Sequence, residues 1–293
     1  MSRPNNRFAD PTTPLLKQRI ARLYVQIPKA LGGAEEPLHQ MRVAARRLRV
    51  ALPLVAQKPQ GQRVRRARRL LRGLTRGGGT SRDLDVITTL FEERALQAPC
   101  PERKALLRDL RSARALARRR LAGDLLDIDI ARLRRNLDVV LSRRGEPVFS
   151  AFGRLRDAVE AGRVKLAARL EAIGAEFQPQ ELHQVRIRFR RLRYVAEVVD
   201  TLRGRESEAP ALFRQVQEAV GHLHDAWVLA GWLERKAERA WAAGRAEVAR
   251  VAREDHDHFM QRARAHHQDF LSLDPLTLLG RGIAAISAPR SAA

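Results

Sequence analysis

The sequence predicts an all-α fold built by internal duplication. Ala, Leu, Arg and Glu dominate, apolar residues recur at spacings of three and four, and no stretch alternates convincingly as a strand. Residues 38–52, LHQMRVAARRLRVAL, also return as LHQVRIRFRRLRYVA at 182–196. A helical repeat of about 140 residues implies two antiparallel bundles related by a pseudo-twofold and packed together rather than strung on a linker.

Gly, Pro and polar clusters divide the chain into helices in order. Residues 1–14 read as a flexible tail, and the first helix closes at LGGAEEP (31–37). The second carries the first repeated stretch and ends in LPLVAQKPQGQ (52–62). The third, arginine-rich, ends at TRGGGTSRD (75–83). Further breaks fall at QAPCPE (97–102), SRRGEP (142–147), GAEFQPQE (174–181), RGRESEAP (203–210) and VGHLHD (220–225), so eight or nine helices are expected. The duplicated domain then spans 15–272, with repeats at about 15–141 and 148–272, and 273–293 reads as a second flexible tail. Gly79 corresponds to Gly221 and Asp83 to Asp225, at an offset of 142. Each aspartate, following a glycine break, is expected at an N-cap or in a first turn, paired with a neighbouring arginine.

Composition narrows the function. With 56 Lys plus Arg against 33 Asp plus Glu, the chain carries +23 at a pI near 11.6, which points to a polyanionic partner. Only six of these cations are lysines, and arginine presents a planar fork that matches two phosphate oxygens at once. The one cysteine, Cys100, excludes an intramolecular disulfide and suits a reducing compartment, so a cytoplasmic location is expected. No apolar run approaches the roughly 18 residues of a membrane span, and the N-terminus lacks the layout of a signal peptide.

The repeated stretch explains where the arginines matter. Leu38, Met41, Ala45, Leu48 and Leu52 form one apolar stripe, repeated by Leu182, Val185, Phe189, Leu192 and Ala196. Beside it His39, Arg42, Arg46 and Arg49 share an arc of roughly 80°, as do His183, Arg186, Arg190 and Arg193. Like charges one turn apart repel, so either something else neutralises such a row or it is simply a solvated basic face whose stems cover apolar surface. A pseudo-twofold would bring the two rows toward a common cleft. A third row, Arg65, Arg69, Arg72 and Arg76, lies beside Val64, Ala67, Leu71 and Leu74, whereas its partner segment keeps only Arg214, opposite Arg72. His39 and His183, with ordinary pKa values of about 6.5, would donate through both nitrogens when protonated.

These motifs, LHQMRVAARRLRVAL with GTSRDLDV and LHQVRIRFRRLRYVAE with VGHLHDAWVL, resemble the CHAD domain family (conserved histidine α-helical domain) over residues of about 15–272. The resemblance implies two pseudo-symmetric bundles around a basic central cavity or channel. It also implies non-catalytic binding of inorganic polyphosphate, often at polyphosphate granules. The family's motif positions fall on His39, Arg42, Arg46, Arg47, Arg49, His183, Arg186, Arg190, Arg191 and Arg193. His224 stands where Asn is expected, and the GGG at 77–79 is looser than the family's pattern. The CYTH triphosphatase motif ExExK does not occur in the chain, so phosphate hydrolysis is not implied.

The residues agree with that implication. A phosphate chain has no bases and needs forked donors rather than aromatic stacking platforms, and aromatics are only 5% of this chain. No catalytic residue, cofactor, metal site or membrane partner is expected. Sequence-independent nucleic-acid binding is the alternative that charge alone allows. A metal-dependent phosphohydrolase is suggested by His224-Asp225 and by His256, His258, His266 and His267, but the counterpart of His224 is Arg82, which cannot ligate a metal. Trp227, Trp232 and Trp241 are expected in core or interface packing.

Overall fold

The structure, a computed structural model, describes residues 10–32, 35–76, 78–142 and 148–288, without the side chains of residues 35, 76, 78, 80, 148 and 149. The expected break at 143–147, Gly77 of the GGG, and the outermost residues of both expected tails lie outside them. All described secondary structure is helical, in eleven elements. They are α1 (Thr12–Leu31), α2 (Glu35–Val55), α3 (Gln62–Arg76), α4 (Gly78–Gln97), α5 (Pro101–Leu126), α6 (Ile130–Ser142), α7 (Val148–Ile173), α8 (Pro179–Arg203), α9 (Ala209–Ala242), α10 (Ala246–Ser272) and α11 (Pro275–Ser287). Two compact units share them: 1–76, 125–161 and 194–207 form the first, and 77–124, 162–193 and 208–293 the second.

In the first unit α2 packs against α1 and α3, and α6 against α3. Of the predicted stripes, Met41, Ala45, Leu48 and Leu52 on α2 and Val64, Ala67, Leu71 and Leu74 on α3 are buried, while Leu38 is half-buried. Helix ends are closed by specific partners. Arg154 of α7 donates through Nε to the Leu54 carbonyl at 2.9 Å, satisfying an orphan group at the end of α2. Asp129 caps α6 by accepting from the Arg132 amide at 2.6 Å. The connection it closes, at 127–129, contains neither Gly nor Pro and was not among the expected breaks.

In the second unit α9 turns back into α10 through Ala243–Arg245, where Gly244 takes φ +71°, a conformation that favours glycine. Ile87 and Phe91 of α4, Leu106 and Leu110 of α5, Leu229 and Leu233 of α9, and Phe259 of α10 bury one another in a common core. A carboxylate lies within this packing: Asp255 of α10 has no exposed side-chain surface, and accepts from Arg103 Nε at 2.8 Å and Arg94 Nε at 3.0 Å. Arg103 also donates to the Ala98 carbonyl at 2.8 Å, which fixes the turn between α4 and α5.

Three expectations are corrected here. Residues 220–225 are no break, because α9 runs through them: one glycine costs a helix only about 1 kcal/mol, and Val220, Leu223 and Ala226 continue the buried face. The tail expected at 273–293 is helical from 275 to 287. Asp274 caps α11 through the Thr277 amide, Pro275 opens it, and it packs on α9 so closely that a Cβ added at Gly282 would collide with the Phe213 ring. Residues 12–14 of the expected first tail already belong to α1.

Candidate functional site

The first unit presents its row on α2. Arg42 is buried, and His39, Arg46 and Arg49 are half-buried beside the apolar stripe. Arg49 reaches Thr75 Oγ1 on α3 at 3.4 Å, and Arg69 and Arg72 of the same helix are exposed. The side chain of Arg76 lies outside the described residues. Arg47 belongs elsewhere: its guanidinium grips Glu197 with two parallel bonds, at 2.8 and 2.9 Å, and lies 5.7 Å from the centre of the Tyr194 ring. Burial disfavours that cation, but the hydrogen bonds and charge of Glu197 more than reverse this and raise its pKa. Arg19 donates to the Arg47 carbonyl at 3.1 Å and is itself pushed down to about 10, chiefly by burial.

The second unit presents its row on α8. Leu182, Val185, Phe189 and Leu192 are buried, and His183, Arg186, Arg190 and Arg193 stand half-buried beside them. Arg191 and, on α9, Arg214 are exposed. Arg186 lies along α9 at Gly221, where its Nε and Nη2 would be 3.5 Å from an added Cβ, so the mid-helix glycine lets the guanidinium rest against the helix. One turn further, His224 is only 7% exposed, and its ring centre is 4.2 Å from that of His183. Nδ1 of both histidines and Nε of Arg186 are buried with no hydrogen-bond partner among the described residues.

Electrostatics separate the histidines from the arginines. His183 is held below its ordinary 6.5 by burial and by Arg186 and Arg190. His224 is pushed down to about 3 by burial, His183 and Arg186. Burial first, and then the arginines beside it, disfavour the protonated form in which His183 would donate through both nitrogens. Asp225 moves the other way, raised by burial and by Asp83 against the pull of Arg186, Arg82 and His222. The expected capping role fails for both aspartates. Asp225 lies inside α9, and Asp83 lies in the second turn of α4. Arginine neighbours, the other half of that expectation, are present at Asp225.

The remaining candidates are dispersed. His256 contacts the Ala230 carbonyl at 3.0 Å through Nδ1, and His267 is buried against Phe177 and Phe270. Among the described residues no three His, Cys, Asp or Glu side chains gather as a metal site. Trp232 packs against the core, but Trp241 is 62% exposed and lies beside Arg253, contrary to the packing expected of it. His224 stands beside His183 and Arg186 rather than in a metal site. The signal for its real position was its place three residues after Gly221, matching Arg82 after Gly79, a basic side chain at the same offset in both repeats.

A family model described as CHAD domain matches residues 15–234. No curated protein matches. Among solved structures, PptA from Streptomyces chartreusis superposes with a TM-score of 0.65 at 18% identity, covering 90% of this chain and 98% of its own. The CHAD domain from the plant Ricinus communis superposes with a TM-score of 0.60 at 22% identity, covering 96% of this chain and 92% of its own.

Proposed function

The chain belongs to the CHAD domain family, and from that premise we propose that it binds inorganic polyphosphate without transforming it. Each row takes successive phosphates: His39, Arg42, Arg46 and Arg49 with Arg69, Arg72 and Arg76 in the first unit, and His183, Arg186, Arg190 and Arg193 with Arg191 and Arg214 in the second. The observation that carries this reading is Arg186, whose buried Nε has no hydrogen-bond partner among the described residues, in the middle of a row of cations. A guanidinium so placed gains most from an anion that accepts from its fork. Arg47 is left out, since Glu197 already occupies its fork.

A cytoplasmic protein of this kind would associate with polyphosphate granules. Nucleic acid is the competing partner that the +23 charge favours. The test is calorimetric titration with polyphosphates of defined length, with duplex DNA as competitor at matched phosphate and salt. Polyphosphate should bind tightly and be displaced poorly by DNA. Equal affinity for the two would replace a shaped site with general polyanion binding.

A further inference from the structure

Resting on the polyphosphate reading above, we propose that the second unit recognises the end of the phosphate chain, with a terminal phosphoryl group bound by His183, Arg186 and His224 and with His224 setting the specificity. The cluster is built from two helices that meet at a glycine. Arg186 lies against Gly221, His224 follows one turn later on the same face of α9, and the His183 ring meets it at 4.2 Å. Gln217, one turn before Gly221, continues that face, and its buried Oε1 also has no partner among the described residues. Unpartnered buried polar atoms are uncommon, and a group of them on facing helices marks a place where a ligand completes the hydrogen bonding.

The mixture of donors and acceptors chooses among phosphates. Arg186 only donates, whereas a neutral imidazole donates from one nitrogen and accepts at the other. A mid-chain phosphate is singly charged, carries no proton near neutrality and is joined to the chain on two sides. A terminal phosphate has a second ionisation near neutrality, so it can present both P–O⁻ to Arg186 and P–OH to an imidazole nitrogen. It is also joined through a single oxygen, so it alone can enter end-on as far as a side chain that is 7% exposed. The two rings part by side-chain rotation as it does so. Beyond it, half-buried Arg190 and exposed Arg214 can take the following phosphates.

The charged and titratable groups facing the cluster support a protonated end. They are Arg190 on α8, which acts on His183, and Asp225 on α9, which Arg186 faces and which has Asp83, Arg82 and His222 around it. The two aspartates disfavour a fully ionised phosphate, and the arginines still hold an anion.

The experiment compares linear tripolyphosphate with cyclic tetrametaphosphate, which has no ends but similar charge near neutrality, using a long linear polyphosphate as reference. By titration, the wild-type chain should bind the linear compound about tenfold more tightly than the cyclic one. In His224→Asn that preference should shrink to about twofold or less, with the long chain still bound. Equal binding of linear and cyclic compounds by the wild type, with the long chain bound, would overturn end recognition and leave the polyphosphate reading intact. Failure to bind the long chain would overturn the reading beneath it. The wild-type comparison stands whether or not the variant folds.

Discussion

Arg47 and Glu197 lock together through two parallel hydrogen bonds, Nε to Oε2 at 2.8 Å and Nη2 to Oε1 at 2.9 Å, joining residues 150 positions apart in the first unit. Arg47 sits next to Arg46 in sequence, within the first of the two similar stretches. Its counterpart in the second repeat, Arg191, is exposed on α8. Corresponding positions of the two similar stretches therefore differ, with an ion-paired arginine in one and an exposed cation in the other.

Replacing Arg47 by Gln should destabilise the protein by about 1–3 kcal/mol, because it leaves a half-buried carboxylate without its partner. Polyphosphate affinity should change by less than about threefold. Thermal melting and titration on the same sample check this. An affinity loss equal to that of Arg46→Gln, with melting unchanged, would return Arg47 to the binding row.

Stability should fall as pH drops below 6.5. Unfolded, His183 and His224 take up protons near 6.5, whereas folded His183 does so at lower pH and folded His224 only near 3. Between those values the unfolded state binds more protons, so the histidine contribution favours unfolding progressively as pH decreases. Urea midpoints at pH 7.5 and 5.5 should show a drop that is smaller in His224→Asn. An identical drop in that variant would remove His224 as a cause.

Asp255→Asn should be severe. The carboxylate has no exposed surface and pairs with both Arg94 and Arg103, so its removal takes the buried partner from two guanidinium groups, leaving Arg103 with the more distant Glu254 at 3.7 Å, at a cost of about 3–5 kcal/mol. Hydrogen exchange should show the loss in α4, α5 and α10. A loss below about 1 kcal/mol would mean that water relieves the site.

Regular features were legible in the sequence because they repeat with the period of a helix. The apolar stripes of α2, α3 and α8 lie buried as their spacing requires, and the cationic rows stand beside them. What depends on one residue or on distant partners was not legible. Gly221 looked like a break but serves as the surface on which Arg186 rests. Gly244, in a run of alanines and charges, gave little warning that a helix ends there. Helix α11 is short and reads as a tail in sequence, and the Phe213 ring that Gly282 packs against lies about 70 residues earlier. Nothing local to Arg47 announces Glu197, 150 positions away. The lowered pKa of His183 was not legible from its row, because its largest cause is burial against packed neighbours.

Placement against total charge is the direct test of the central claim. Arg46, Arg49, Arg190 and Arg193 belong to the two rows, whereas Arg119, Arg120, Arg135 and Arg264 are exposed and lie outside both. Replacing either set by Gln lowers the net charge equally, from +23 by four to +19. With helicity verified for both variants, polyphosphate affinity is measured by titration at one salt concentration. The row variant should lose at least about a hundredfold, since charge-assisted hydrogen bonds are worth roughly 1.5–3 kcal/mol each and are not additive within a cluster, and the outer variant should lose less than about fivefold. Equal losses in the two folded variants would contradict a shaped site and leave only a cationic surface.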